Sequence, residues 1–162
     1  MDHTHLTKTE LDALSAAAAA SPRLRMHRNF HPDHSAPVQR LAIAMEPGTY
    51  VRPHRHSHTW ELLLILRGEL ELVLFDPAGE QVTGRVRLSA EANQVFEMPA
   101  NTWHSVLSRQ PGTVVFEVKQ GPYQALPASD VAAGSPAEGE AAVAGFMRFL
   151  DHAQTGDRWQ GA

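Results

Sequence analysis

Between residues 38 and 119 the chain is a succession of short segments, each closed by a turn signal, with no helical stretch among them. "VQRLAIAM" alternates apolar and polar residues and stops at Pro47-Gly48. "ELELVLF" is closed by "DPAGE", an order that suits a type I turn. "QVTGRVRL" places Val82, Val86 and Leu88 on one predicted face and Thr83, Arg85 and Arg87 on the other, as a half-buried strand requires. "TWHSVLS" and "TVVFEVK" follow, separated by "RQPG". Closely spaced strands without crossover helices predict an all-β fold, an antiparallel sandwich or barrel.

The two ends read differently. Thr7 and Glu10 have the spacing of a capping box, and Leu11, Leu14 and the alanines beyond favour a helix over 8–20. Pro22 ends it, because the residue before a proline avoids helical geometry. After Tyr123 a stretch rich in Ala, Pro, Gly and Ser reads as a tether with few core contacts. Val143, Phe146, Met147 and Leu150 then recur at helical spacing, so an amphipathic helix is expected to dock on the barrel or on a second subunit. The organisation is thus an N-terminal helical extension at 1–25, a barrel at 26–122, and a linker with a C-terminal helix at 123–162. A chain of 162 residues is long enough to bury roughly 70% of its unfolded surface without staples.

Composition narrows the partners. No cysteine is present, which excludes disulfides, thiolate metal sites and thiol catalysis. The net charge of −4 with interspersed signs offers no basic patch for nucleic acid. The longest strongly apolar run, Leu62 to Leu66, is far short of the ~20 residues of a membrane helix. The polar N-terminus lacks the layout of a signal peptide. The expectation is a soluble, cytoplasmic, single-domain protein.

Chemistry concentrates in "PHRHSHTWE", where three of ten histidines fall within five positions and a glutamate follows. If Tyr50 to His56 form a strand, Tyr50, Arg52, His54 and His56 share a face, and two imidazoles converge. Glu61 has the opposite parity and rejoins that face only through a bulge or turn in "SHTW". Glu61, Leu63 and Ile65 then point inward. His104, sharing a face with Thr102 and Val106, supplies a third imidazole. A set of His54, His56, Glu61 and His104 has only nitrogen and oxygen donors. It suits one divalent transition metal (iron, manganese, nickel, cobalt or zinc) and disfavours copper(I) or an iron–sulfur cluster. The alternative for each histidine is a hydrogen-bonded structural role.

These residues resemble the cupin superfamily. Gly48, His54, His56, Glu61 and Gly68 fill all five positions of its first motif. In the second, Pro99 and His104 are in place, Asn93 and Asn101 stand where glycines belong, and Ser108 replaces the final asparagine. Asparagine tolerates left-handed backbone best among non-glycine residues, so both turns are expected to survive. More narrowly, "SPRLRMHRNFH", "EPGTYVRPHRH", "WELLLILRG", "NTWHSV" and "FEVKQGPY" resemble the WbuC family of small cupin metalloproteins, over roughly residues 5 to 125. That resemblance implies a jelly-roll barrel with a metal in its lumen and a context in bacterial surface-polysaccharide (O-antigen) metabolism.

Arg52 is a candidate for binding an anionic substrate group. Glu117 and Lys119 alternate with Val114, Phe116 and Val118. They are read either as a solvent-facing strand face or, for Lys119, as an acid/base or anion-binding group near the metal. His31 is placed at the pocket mouth, His34 and His58 in exposed loops, His3 and His5 in a disordered end, and Trp60 and Trp103 in packing on the far side of the strands. Two function classes stand open. One is an enzyme: an isomerase or epimerase acting on a sugar or nucleotide-sugar by Lewis-acid chemistry, or, with iron, an oxygenase. The other is a binding or sensing protein for a carbohydrate or small acid. Exposed sheet edges make a homodimer the expectation.

Overall fold

The computed structural model describes residues 3–161. Its elements run α1 (Lys8–Ala20), β1 (Arg25–Asn29), β2 (Val38–Met45), β3 (Glu61–Arg67), β4 (Leu70–Phe75), β5 (Val82–Leu88), β6 (Val95–Met98), β7 (His104–Ser108), β8 (Thr113–Gln120), a 3-10 turn (Ala128–Asp130) and α2 (Val143–His152). Two antiparallel sheets face each other, one ordered β1-β2-β8-β3-β6 and the other β5-β4-β7. The all-β expectation holds, and the architecture is a single-domain cupin barrel with a short helix at each end. The strands β1 and β6 were not singled out in the sequence, where "RMHRN" and "VFEM" are too short and polar to alternate visibly.

Side-chain parity sorts the residues into three apolar clusters. Between the sheets lie Leu63, Leu70, Leu72, Leu88, Met98, Val106 and Val115. Outside the three-stranded sheet, Val73, Phe75, Trp103 and Leu107 pack on Phe146 and Leu150 of α2. Outside the five-stranded sheet, Ala42, Ala44 and Val114 receive Ala18 of α1. The chain is therefore four layers deep, a helix over each outer face. The N-terminal helix has the expected bounds and capping box, with Thr7 accepting from the Glu10 amide and Glu10 from the Thr7 amide. Among the described residues no helix is long and apolar enough to cross a membrane.

One facing assignment needs correction. Val82 sits in the outer cluster, while Val86 and Leu88 sit between the sheets. The register slips from Leu74–Gly84 to Phe75–Val82, so β5 carries an extra residue there. That bulge reverses the parity of everything before it.

Gly68 is where the chain leaves one sheet for the other. It has φ +75°, and a Cβ there would lie 2.8 Å from the Thr113 Cα. A left-handed turn against another backbone leaves room for glycine alone.

The C-terminal helix is also tied electrostatically. Glu71 on β4 accepts from Arg85 at 2.7 Å and from Arg109 at 2.7 Å. Arg85 donates onward to the carbonyls of Leu150 and Ala153, and Arg109 pairs with Asp151 at 2.7 Å. Arg85 thereby caps the C-terminus of α2, where a cation is favourable. The Arg85 hydrogen bond holds the Glu71 carboxyl below its ordinary value, burial opposing. A depressed folded-state pKa adds stability that is present above the unfolded value and lost as pH falls through the folded one. We expect Glu71→Gln to cost on the order of 1–2 kcal/mol at pH 7, a few degrees of Tm in a chain of this size. The gap in Tm between wild type and variant should close as pH drops below the ordinary carboxylate range. A gap independent of pH in thermal melts would contradict the assignment.

Candidate metal centre

The histidine-bearing stretch is extended but joins no sheet. Residues 49–60 make only isolated bridges, His54 to His104 and His54 to Val131. The His54 amide donates to the His104 carbonyl and the His104 amide to the His54 carbonyl, each at 2.9 Å. A reciprocal pair of this kind puts both side chains on one face. Their ring centroids lie 4.5 Å apart.

The expected shared face of Tyr50, Arg52, His54 and His56 does not form as a whole. Val51, not Tyr50, lines the lumen beside His54. Tyr50 faces outward, packs edge-on to Phe146 and donates to the Pro136 carbonyl at 2.8 Å. Arg52 donates to the Ser135 hydroxyl at 2.9 Å and to the Ser135 carbonyl at 2.6 Å. Parity inverts around Pro53, which has no N–H to give a ladder and a fixed φ. The expected irregularity before Glu61 is present as a bend at Ser57 and His58. Opposite it, the Asn101 amide donates to the His56 carbonyl at 2.9 Å, and Asn101 takes φ +68°. The other asparagine departs from expectation: Asn93 is not left-handed, and its side-chain amide instead donates to the Arg87 carbonyl.

Three imidazoles, His54, His56 and His104, present ligand nitrogens within 4.8 Å of one another. His54 Nδ1 faces the Arg52 carbonyl at 2.9 Å and His104 Nδ1 faces the Thr102 carbonyl at 3.0 Å. A carbonyl only accepts, so each Nδ1 carries a proton and each Nε2 is left to the lumen, as in metal-bound histidines. Glu61, 4% exposed, stands among them. Its carboxylate is 3.1 Å from His104 Nε2 and 3.3 Å from His56 Nε2. His56 Nε2 is buried without a hydrogen-bond partner.

Lone pairs facing a carboxylate at such distances repel unless positive charge lies between them. Burial alone would lower His104, but the Glu61 carboxylate outweighs it and its pKa is raised. Burial likewise opposes Glu61, yet the neighbouring His104 and His56 imidazoles and the Lys119 ammonium hold its carboxyl well below the ordinary range. His54 is pushed down to about 3 by burial, then by His104, and stays neutral. An unpartnered buried nitrogen, two fixed tautomers and an ionised carboxylate fit a divalent cation with nitrogen and oxygen ligands.

Glu117 and Lys119 are not a solvent-facing pair. On β8 it is Val114 and Phe116 that pack under α1, while Val115 joins the interior cluster. Glu117 is 8% exposed, and Lys119 lies opposite Glu61 in the register. The Lys119 ammonium is 2.6 Å from Glu117 and 3.3 Å from Glu61. Burial first, and then the Glu61 carboxylate, push Glu117 up to about 7 despite Lys119. Lys119 is raised: burial opposes, but Glu117 and Glu61 prevail. Together with His54, His56 and Glu61 these side chains line a cavity of ≈ 290 Å³ at the barrel mouth. A deeper void of ≈ 60 Å³ touches His54, Glu61, His104 and Glu117. A cavity of ≈ 330 Å³ among Phe75, Phe146 and Trp159 lies outside the barrel and holds none of them.

The remaining expectations divide. His31 does not close the mouth: it is buried, and its Nδ1 accepts from the Arg40 amide at 3.0 Å. His58 is exposed on the cavity rim and His34 rests on Tyr123. His3 and His5 are exposed and outside any element. Trp103 is buried on the outer side as expected, and Trp60 is half-buried. Among the lining residues that escaped the sequence reading are Arg25 and His27, because β1 itself did. So did residues 130–135: far from a loose tether, they hydrogen-bond to Arg52, Pro53 and Arg55.

A family model described as "Domain of unknown function (DUF6016)" matches residues 6–88. No curated protein matches the sequence. Among solved structures the chain is similar to KdgF from Halomonas sp., at 18% identity and TM-score 0.50 over 64% of this chain and 83% of that one. It is similar to a cupin superfamily protein from Desulfitobacterium hafniense DCB-2, at 17% identity and TM-score 0.51 over 74% and 98%. It is also similar to a conserved protein of unknown function from Streptococcus pyogenes, at 12% identity and TM-score 0.51 over 76% and 93%. At such identities the likeness is one of fold, and that fold is the cupin's. For the site itself, elemental analysis of purified protein should find a first-row transition metal that His56→Ala retains only in traces. Equal metal in both would remove His56 from the ligand set.

Proposed function

The chain belongs to the DUF6016 family, and from its barrel site we propose that it is a divalent-metal-dependent enzyme acting on a sugar or nucleotide-sugar. The observation that carries this reading is the buried, unpartnered His56 Nε2 facing Glu61 at 3.3 Å beside two imidazoles of fixed tautomer. His54, His56, Glu61 and His104 would hold the metal, taken from iron, manganese, cobalt, nickel or zinc. When bound, it supplies Lewis acidity to a carbonyl or hydroxyl, which suits isomerisation or epimerisation.

The chain's own residues supply the rest. Lys119 reaches the mouth as a cation and orients an oxygen of the substrate. Glu117, carrying a pKa near neutrality, holds or releases a proton beside it. Leu63, Val106 and Val115 form the dry floor of the lumen. Arg52 stays outside the reaction, since its guanidinium is engaged by Ser135. The segments resembling WbuC proteins support a place in surface-polysaccharide metabolism.

The test is turnover of metal-reconstituted protein against a panel of nucleotide sugars, followed by proton NMR. Conversion is expected, with Lys119→Met slowing it by roughly 10²–10⁴-fold at unchanged metal content. A fully loaded wild type that binds these sugars and converts none would establish the binding-protein reading instead.

A further inference from the structure

The histidine-bearing arm belongs to no sheet, and a buried carboxylate far along the sequence grips it from outside. Asp130 is 2% exposed at the end of the 3-10 turn. One of its oxygens accepts from Arg55 Nε at 2.9 Å, the other from the Ser57 hydroxyl at 2.5 Å. Its backbone carbonyl accepts from the Arg55 amide at 2.9 Å. The next residues continue along the arm: Val131 bridges to His54, and the Ala132 amide donates to the Pro53 carbonyl at 2.9 Å. Residues 53, 54, 55 and 57, which include His54 and flank His56, are thus all held by residues 130–132.

The grip extends to the third imidazole. The Arg55 guanidinium, held by Asp130, lies 4.9 Å over the ring of Trp103, which immediately precedes His104. Trp103 is itself anchored, its Nε1 donating to the Pro77 carbonyl at 3.1 Å. A cation stacked on an indole while paired to a buried carboxylate is a rigid bracket. The carboxylate of Asp130 is absent from the lining of both lumen cavities, so it works through the arm rather than on a ligand.

From this we infer that Asp130 is a positioning residue: by clamping Arg55 and Ser57 it fixes the spacing of His54 and His56 against His104, and so sets the affinity and geometry of the metal site. The inference rests on the reading that these histidines hold a metal. A ligand arm freed of its outer partners must be ordered again on each binding event, and loss of such support typically weakens metal affinity by about 10–100-fold.

The experiment titrates cobalt(II) into the metal-free full-length chain, recording both the dissociation constant and the visible d–d bands, with thermal melts alongside. For Asp130→Ala a loss of about 10–100-fold and altered bands are expected. Asp130→Asn, which keeps acceptor capacity for Ser57 and loses the charge on Arg55, should fall between. Equal affinity and identical bands in a folded Asp130→Ala would overturn the inference, whatever the change in Tm, because a merely structural residue moves stability alone. If Asp130→Ala does not fold, Asp130→Asn decides by the same criterion. Wild-type protein that takes up no cobalt overturns the metal reading and this inference together; tight wild-type binding with unaltered variants overturns this one only.

Discussion

An ionised carboxylate buried between two sheets has to be surrounded by positive charge, and Glu61 imposes that demand on everything near it. Its desolvation costs several kcal/mol before any partner is counted. The partners come from three separate parts of the chain: His56 on the arm, His104 on β7 and Lys119 on β8. Each is delivered by backbone pairing. β3 and β8 put Lys119 opposite Glu61 in register. The reciprocal bond between His54 and His104 brings β7 to the arm. The four layers of the molecule exist to hold those pairings, and the site is where their polar consequences meet.

Glu117 sharpens the same constraint. Two carboxylates and one ammonium share a confined space, so charge cannot balance with all three ionised and no further cation present. The protein alone eases this by raising the pKa of His104 and by pushing that of Glu117 up to about 7. A divalent cation at the imidazoles would relieve the same imbalance from the other side. Proton and metal are alternative answers to one excess of negative charge, and the proposed function draws on both.

Much of this was legible in the sequence. The alternation of "VQRLAIAM" and "TVVFEVK" gave the sheets, the Thr7–Glu10 box gave α1, and the spacing of His54, His56, Glu61 and His104 marked the residues that the fold brings together. What failed did so for identifiable reasons. Period-two reasoning holds only along unbroken strands, and it broke at Pro53 and at the bulge in β5, displacing Tyr50, Arg52 and Val82. For Glu117 and Lys119 two readings stood open, a solvent-facing strand face, where charged residues usually lie, or for Lys119 a place near the metal. Parity alone cannot say which face of β8 is inside; only α1 covering Val114 and Phe116 decides it.

The segment after Tyr123 was the hardest to read, and the reason is physical. Its composition is that of a linker, with little apolar surface to bury, and linkers are recognised by what they lack. Here order comes from hydrogen bonds to an arm that has no sheet partner of its own on that side. Proline at 53 prevents a ladder, and with His54 paired to His104 the Pro53 carbonyl and the Arg55 amide still need partners. Residues 130–132 supply them. A loop carrying two candidate ligands cannot be both free of the sheet and precise, unless a third piece of chain completes its hydrogen bonding. The apparent tether is that piece, and its one buried carboxylate lies where the arm has the most to lose.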